Sequence, residues 1–332
     1  MTMAPENAAQ TLYPTRGEAR PSKLAIIGAG AVGSTLAYAA VIRGVAREVV
    51  LYDINKPKVE AEALDIAHGI QFTPMNEVYG SDDIEAVRDA DVVVVTAGAK
   101  QNPGQTRLEL AGSTVDLMKK ILPPLVEVAP NAVFILVTNP VDVVTYASLK
   151  ITGLDPTRMF GSGTVLDTSR LRYLVSLETG IAVQNIHAYI AGEHGDSEVP
   201  LWSTAEIGNV PLLQWELPDG RRFDHDLRER IRVDVVQSAY RIIEGKGATN
   251  YAVGLAVTKI IEAVLRGENR VLTVSTLLKD WNGITDVCMA VPTIVSREGA
   301  GKVLAPPITM AERDALTASA LQLREVARSL GF

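Results

Sequence analysis

The stretch from His187 to Pro200, H-A-Y-I-A-G-E-H-G-D-S-E-V-P, holds the residue types best suited to moving a proton near neutral pH. His194 is flanked there by Gly195 and by the acidic residues Glu193 and Asp196, and an imidazole is the side chain that titrates in this range. The alternation of Ile186, Ala188 and Ile190 with His187, Tyr189 and Ala191 predicts a strand that ends in a turn. On this stretch alone, His194 reads first as a hydrogen-bonded histidine at a strand end. Other segments must supply the reason to prefer general acid–base chemistry. Three such segments stand upstream. A-G-A-K-Q-N-P-G-Q-T-R-L-E-L has the composition of a loop able to close as a lid, with Arg107 where a helical pattern begins. V-T-N-P-V-D puts Asn139 just past an apolar run, where ligands of open α/β sheets bind. G-S-G-T-V-L-D-T-S-R-L-R spaces Asp167 and Arg170 by three, on one helical face. Taken singly, these are also a solvated loop charge, a turn former and a helix-surface ion pair.

The elements that would position these side chains follow from the apolar pattern. Leu24 to Ile27 runs straight into Gly28, Gly30 and Gly33, the order strand, tight turn, helix. Gly28 permits the turn, Gly30 lets backbone approach a pyrophosphate, and Gly33 lets helix and strand pack closely. The phosphate charge would rest on the helix N-terminus. After a helix with Val32, Leu36, Ala39 and Ala40 on one face, E-V-V-L-Y-D forms a second buried strand ending in Asp53, twenty residues beyond Gly33. A carboxylate there accepts both adenosine ribose hydroxyls and repels a 2′-phosphate, which predicts NAD over NADP. The other reading of Asp53 is a helix cap or turn residue. Further strands are predicted at Val78 to Tyr79, Asp91 to Thr96, Ala132 to Val137 and Met159 to Gly161, with helices between them. Runs such as D-V-V-V-V-T lack polar alternation and read as parallel strands covered on both faces. The predicted fold is therefore α/β: a Rossmann-type doubly wound parallel sheet over residues 22–160, followed by an α+β catalytic domain over 161–332. That second part has hairpin-like strands and long helices near 226–244, 250–266 and 310–330. Residues 1–21, polar and rich in Pro, Gly and Ala, read as a mobile arm or an intersubunit contact.

Composition excludes several classes of function. A net charge of -7 in 332 residues argues against a surface for nucleic acid or anionic membrane. The single cysteine, Cys288, excludes an internal disulfide framework and fits a reducing, cytoplasmic location. No apolar stretch reaches the length of a membrane span. The spacing of His, Cys and carboxylates suggests no metal site. His68 reads as a helix-end residue and His225 as part of a charged, solvated stretch.

Five ordered motifs, G-A-G-A-V-G, A-G-A-K-Q-N-P-G-Q-T-R-L, T-N-P-V-D, L-D-T-S-R-L-R-Y and A-G-E-H-G-D-S, resemble those of the lactate and malate dehydrogenase family, and within it the L-lactate branch. The resemblance runs from about residue 23 to the C-terminus. It implies His194 as proton donor and acceptor, Asp167 as its paired carboxylate, and Arg170 as the anchor for a substrate carboxylate. Arg107 would be the lid arginine that polarises the reacting carbonyl, and Asn139, before a cis proline, would bond the same oxygen region. Contacts with NAD are implied at Gly28, Gly30, Val32, Gly33, Asp53, Thr96, Ala97, Gly98 and Asn139. A homotetramer is also implied, with a dimer as the alternative.

The chemistry fits on physical grounds. Hydride delivery to a 2-keto acid puts negative charge on the carbonyl oxygen, which a cation and an available proton both stabilise. Substrate choice turns on Gln101, where malate dehydrogenases of this family carry an arginine for the second carboxylate of oxaloacetate. Leaving that carboxylate unpaired costs about 3 to 5 kcal/mol, so pyruvate is expected, and Thr249 matches the lactate branch in the same pocket. Arg172 and His187 match residues that bind fructose 1,6-bisphosphate in some bacterial members, although a helix-surface arginine and a strand histidine need no effector. Two other readings remain: a malate or broad 2-hydroxy-acid dehydrogenase, and a noncatalytic NAD-binding protein on the same fold.

Overall fold

The computed structural model describes residues 20–98 and 107–332, without the side chains of residues 107 and 108. Six strands alternate with five helices in the first part of the chain: β1 Lys23–Ile27, α1 Ala31–Arg43, β2 Glu48–Tyr52, α2 Lys56–His68, β3 Glu77–Ser81, β4 Val92–Val95, α3 Arg107–Val128, β5 Val133–Leu136, α4 Val141–Thr152, β6 Met159–Gly161 and α5 Val165–Thr179. The strands are parallel in the order β6-β5-β4-β1-β2-β3, the doubly wound arrangement with its switch point between β1 and β4. β1, β4 and β5 are buried along their whole length, as strands covered by helices on both faces must be.

The remaining elements are β7 Ile186–His187, β8 Ile190–Ala191, β9 Val199–Pro200, β10 Glu206–Ile207, β11 Val210–Pro211, α6 His225–Lys246, α7 Tyr251–Leu265, β12 Arg270–Trp281, β13 Ile284–Ser296, β14 Gly299–Val303 and α8 Met310–Ser329. β12, β13 and β14 form an antiparallel meander, and β12 joins β6 through Ser275 opposite Gly161. The parallel sheet and the meander are thus one nine-stranded sheet. α7 lies across α1, and its Val257, Ile260, Ile261 and Val264 are buried in the same apolar cluster as Leu24, Ile26 and Leu36. The buried carboxylate of Glu262 locks this contact, bonded to Arg43 of α1 at 2.8 and 2.9 Å and to Lys259 at 2.9 Å.

The continuous strand expected from Ile186 to Ala191 does not form. β7 pairs with β10, whereas β8 pairs with β9 in a separate sheet. Side chains and a loop amide take the intervening backbone groups instead: Arg172 donates to the Ala188 carbonyl (2.9 Å), and the Leu201 N–H donates to that of Tyr189 (2.9 Å). At Ile190 the N–H is bonded by Thr168 (3.0 Å) and the carbonyl by Thr164 (2.6 Å). Backbone satisfied in this way has no need of a neighbouring strand.

Candidate active site

The carboxyl ends of β1, β2, β4 and β5 meet around the glycine turn. Gly28 has φ +104°, a region open to glycine, and a side chain at Gly33 would run into the Gly28 carbonyl. A Cβ at Gly30 would meet nothing within 4 Å, so the turn presents bare backbone to open space at the start of α1. Asp53 accepts the Ala29 N–H (2.8 Å) through Oδ2 and the Asn55 N–H (2.9 Å) through Oδ1, which clasps the end of β2 to the glycine turn. The cap of α2 is Asn55, which accepts from Lys58 N–H. Asp53 is therefore left at the turn rather than used as that cap. Thr96 bonds the Ile27 and Gly28 carbonyls, and Thr138 bonds that of Ala97 (2.7 Å). Gly98 packs so closely on Thr138 that a Cβ would lie 2.5 Å from its methyl group. Val32 is half-buried in the first turn of α1, and Asn139 is exposed beyond β5 with its bond to Pro140 cis. An open glycine cradle with a carboxylate fixed twenty residues on fits a dinucleotide with free ribose hydroxyls.

His194 sits in the loop after β8, about a quarter exposed, and four elements clamp that loop. From α5, Asp167 Oδ2 lies 2.5 Å from His194 Nδ1. From α4, Asp142 Oδ2 accepts the His194 N–H (2.7 Å), while its Oδ1 accepts the Ser275 hydroxyl of β12 (2.5 Å). Gly192 exchanges backbone bonds with Ala290 of β13, and Ser319 of α8 accepts the Glu193 N–H (2.9 Å). Nδ1 faces the carboxylate, so Nε2 is the nitrogen free to exchange a proton.

Asp167 is buried, not a helix-surface residue, and its Oδ1 also accepts from Arg170 Nη1 at 2.6 Å. Burial raises its pKa, but the charges and hydrogen bonds of His194 and Arg170 outweigh that and hold it low. For His194, burial works against the cation, yet the charge and hydrogen bond of Asp167, helped by Asp142 and Glu198, push its pKa up to about 9. The cluster is thus a proton-holding imidazole braced by a carboxylate, beside a guanidinium able to grip an anion.

Sequence reasoning missed four contributors: Asp142, Ser275, Ser319 and Glu198. Asp142 lies in V-T-N-P-V-D and Glu198 in the stretch His187 to Pro200, but only the fold brings them to His194. Asp167, His194 and Glu198 place ligand-type atoms within 4.8 Å of one another. The Arg170 cation on Asp167 disfavours a metal ion there.

Other expected residues lie further out. Thr249 is half-buried on the connection from α6 to α7, next to Asn250, which donates to Thr35 of α1 (2.9 Å). Arg172 is no free surface arginine: besides holding the Ala188 carbonyl, it stacks 5.0 Å over the Tyr189 ring. His187 is exposed on β7, His68 ends α2, and His225 is largely exposed at the start of α6. Gln101, the remainder of the lid up to Thr106, and the arm over residues 1–19 lie outside the described residues, as does the side chain of Arg107, whose backbone opens α3.

A doubly wound sheet with a dinucleotide cradle, coupled to a histidine–aspartate proton site, defines a dehydrogenase of the nicotinamide-dinucleotide class. Two family models match almost the whole described chain: the lactate/malate dehydrogenase NAD-binding domain over residues 22–161 and the lactate/malate dehydrogenase alpha/beta C-terminal domain over 164–329. The chain belongs to the lactate/malate dehydrogenase family, with NAD as its cofactor. It is 56% identical to an L-lactate dehydrogenase of Bifidobacterium animalis subsp. lactis over 94% of this chain and 98% of that one. It is 45% identical to an L-lactate dehydrogenase of a Thermoanaerobacter species over 93% and 99%. Among solved structures, the ligand-bound minor L-lactate dehydrogenase of Enterococcus mundtii superimposes with a TM-score of 0.89 at 36% identity, covering 93% of this chain and 98% of that one. A lactate dehydrogenase from a Medee basin deep-sea metagenome has the same score and identity, with 95% and 100% covered.

Proposed function

We propose that this protein interconverts pyruvate and L-lactate with NADH and NAD, and that His194 is its proton donor and acceptor. The 2.5 Å contact between His194 Nδ1 and the buried Asp167 carries the proposal, and the L-lactate dehydrogenases similar to it over nearly their whole length support the substrate. The nicotinamide cofactor supplies or accepts the hydride. Protonated His194 gives its Nε2 proton to the pyruvate carbonyl oxygen, and Asp167 fixes the ring and stabilises the imidazolium. In lactate oxidation neutral His194 takes the hydroxyl proton at the same atom. Arg170 turns from Asp167 to hold the substrate carboxylate through paired bonds, which orients the reacting carbon. Arg107 polarises the carbonyl as the lid closes, Asn139 bonds the same oxygen region, and Gln101 and Thr249 line the pocket for the methyl group. Gly28, Gly30, Val32, Gly33, Asp53, Thr96, Ala97, Gly98 and Asn139 would hold the cofactor. NADH oxidation measured with pyruvate, oxaloacetate and longer 2-keto acids tests the reading. Pyruvate should give the highest kcat/KM; preference for oxaloacetate favours the malate alternative, and no turnover favours a noncatalytic binder.

The finer features belong to the same proposal. A cytoplasmic, fermentative setting fits a thiol, Cys288, buried in the apolar core with its pKa raised by that burial. A homotetramer is supported by apolar side chains left exposed on α1, α2 and α7, among them Ile42, Leu64 and Leu255. Fructose 1,6-bisphosphate as an activator is supported by His187 lying exposed beside Ala188, the residue whose carbonyl Arg172 holds. In that case pyruvate saturation should sharpen on adding the bisphosphate; hyperbolic curves unaffected by it would remove the effector.

A further inference from the structure

Glu198 closes the turn after His194 and is only 4% exposed. One of its carboxyl oxygens lies within 4.8 Å of both an Asp167 oxygen and a His194 ring nitrogen, and its Oε1 is buried without a hydrogen-bond partner among the described residues. The charged groups facing it are Asp167 and Arg170 on α5, His194 on its own loop and Arg232 on α6. Two carboxylates this close in a dry site do not both stay ionised. The proton has to go to one of them, and the bonding decides which. Asp167 has a donor on each oxygen, from His194 and Arg170, whereas Glu198 has an oxygen with none. An ionised carboxylate without donors is far more expensive to bury than a neutral acid.

We propose that Glu198 is a positioning residue that keeps a proton of its own beside the catalytic pair. As a neutral acid it leaves Asp167 the single anion hydrogen-bonded to the His194 ring, with Asp142 on the backbone N–H of the same residue, and as an anion, at alkaline pH, it holds His194 in its protonated form. Burial first, and then the Asp167 charge, push the Glu198 pKa up to about 9, against the opposing pull of His194, Arg170 and Arg232. His194 and Glu198 therefore titrate over the same range, as a coupled pair rather than two independent groups. The functional consequence is directional. Each Glu198 that ionises favours the imidazolium, so the proton needed for pyruvate reduction stays on His194 further into alkaline solution than Asp167 and Asp142 would hold it.

The inference rests on His194 as the proton donor, and infrared titration of the whole enzyme with NADH bound separates the two ideas. Between about pH 7 and pH 10, the wild type should lose a protonated-carboxyl C=O band that is shifted by 13C-glutamate labelling and missing from Glu198→Gln. In the same variant the alkaline limb of kcat/KM for pyruvate, scaled to its own plateau, should move down by about one pH unit. A wild-type band that ignores glutamate labelling, or alkaline limbs that superimpose, would overturn the proposal. Labelling of the wild type alone decides the matter if Glu198→Gln does not fold. An active wild type without the band removes only the role of Glu198, whereas a wild type unable to reduce pyruvate removes the proton-transfer reading beneath it.

Discussion

Removing one partner of the His194–Asp167 pair should hurt in a specific way. Asp167→Asn keeps the size but takes away the anion and offers Nδ1 the wrong hydrogen-bonding partner, so kcat should fall by about 10² to 10⁴. The pKa of His194 should drop at the same time. A loss of less than about tenfold would contradict the assigned role. Stability should carry the same signature. The folded pKa of His194, about 9, lies above its ordinary 6.5, so the ion pair contributes fully below pH 6.5 and is lost as pH rises through about 9. The raised Glu198 acts with the same sign. The thermal midpoint should therefore fall across this window, and His194→Asn should flatten the fall; parallel curves would refute the linkage. Gln101→Arg should move preference from pyruvate toward oxaloacetate, and an unchanged ratio of kcat/KM would deny Gln101 its part. At this scale the spacing from the glycines singled out Asp53, whereas His194, Asp167 and Arg170 had ordinary readings one by one and took their roles only from the resemblance of their combined motifs to the family. Glu198 and Asp142 did not, because an acidic residue becomes unusual only once the fold buries it.

Among elements, the loop of His194 is held less by its own sequence than by what packs on it. Asp142 joins three of them: α4 carries it, the His194 loop donates an N–H to it, and β12 donates the Ser275 hydroxyl. Asp142→Ala leaves both donors without a partner in a buried site and should cost about 3 kcal/mol of stability, with kcat falling because the imidazole is no longer fixed. Denaturant titration beside steady-state rates checks both; an active variant of unchanged midpoint would show that the clamp is dispensable. The long helices and parallel strands were legible because their periodicity is local. The break between β7 and β8 was not. Its causes, Arg172, Thr164 and Thr168, sit on or just before a helix that precedes it and reach the backbone only after α5 has docked.

At the scale of the molecule, the single nine-stranded sheet ties the cofactor cradle to the meander behind the catalytic loop. That join depends on one pairing, Ser275 with Gly161, too short to leave a pattern in the sequence. α7 was likewise readable as a helix, but its place in the core around β1 was not, since Glu262 shows its purpose only beside Arg43. Under the proposed function, cofactor cradle and histidine pair would together perform reversible hydride and proton transfer, a task that involves both halves of the molecule. The most direct measurement is the pH dependence of kcat/KM for pyruvate with NADH and for L-lactate with NAD. Reduction should fall as pH rises toward about 9 while oxidation climbs through the same range, because one needs His194 protonated and the other neutral. Profiles that move together, or stay flat across that range, would contradict His194 as the proton carrier.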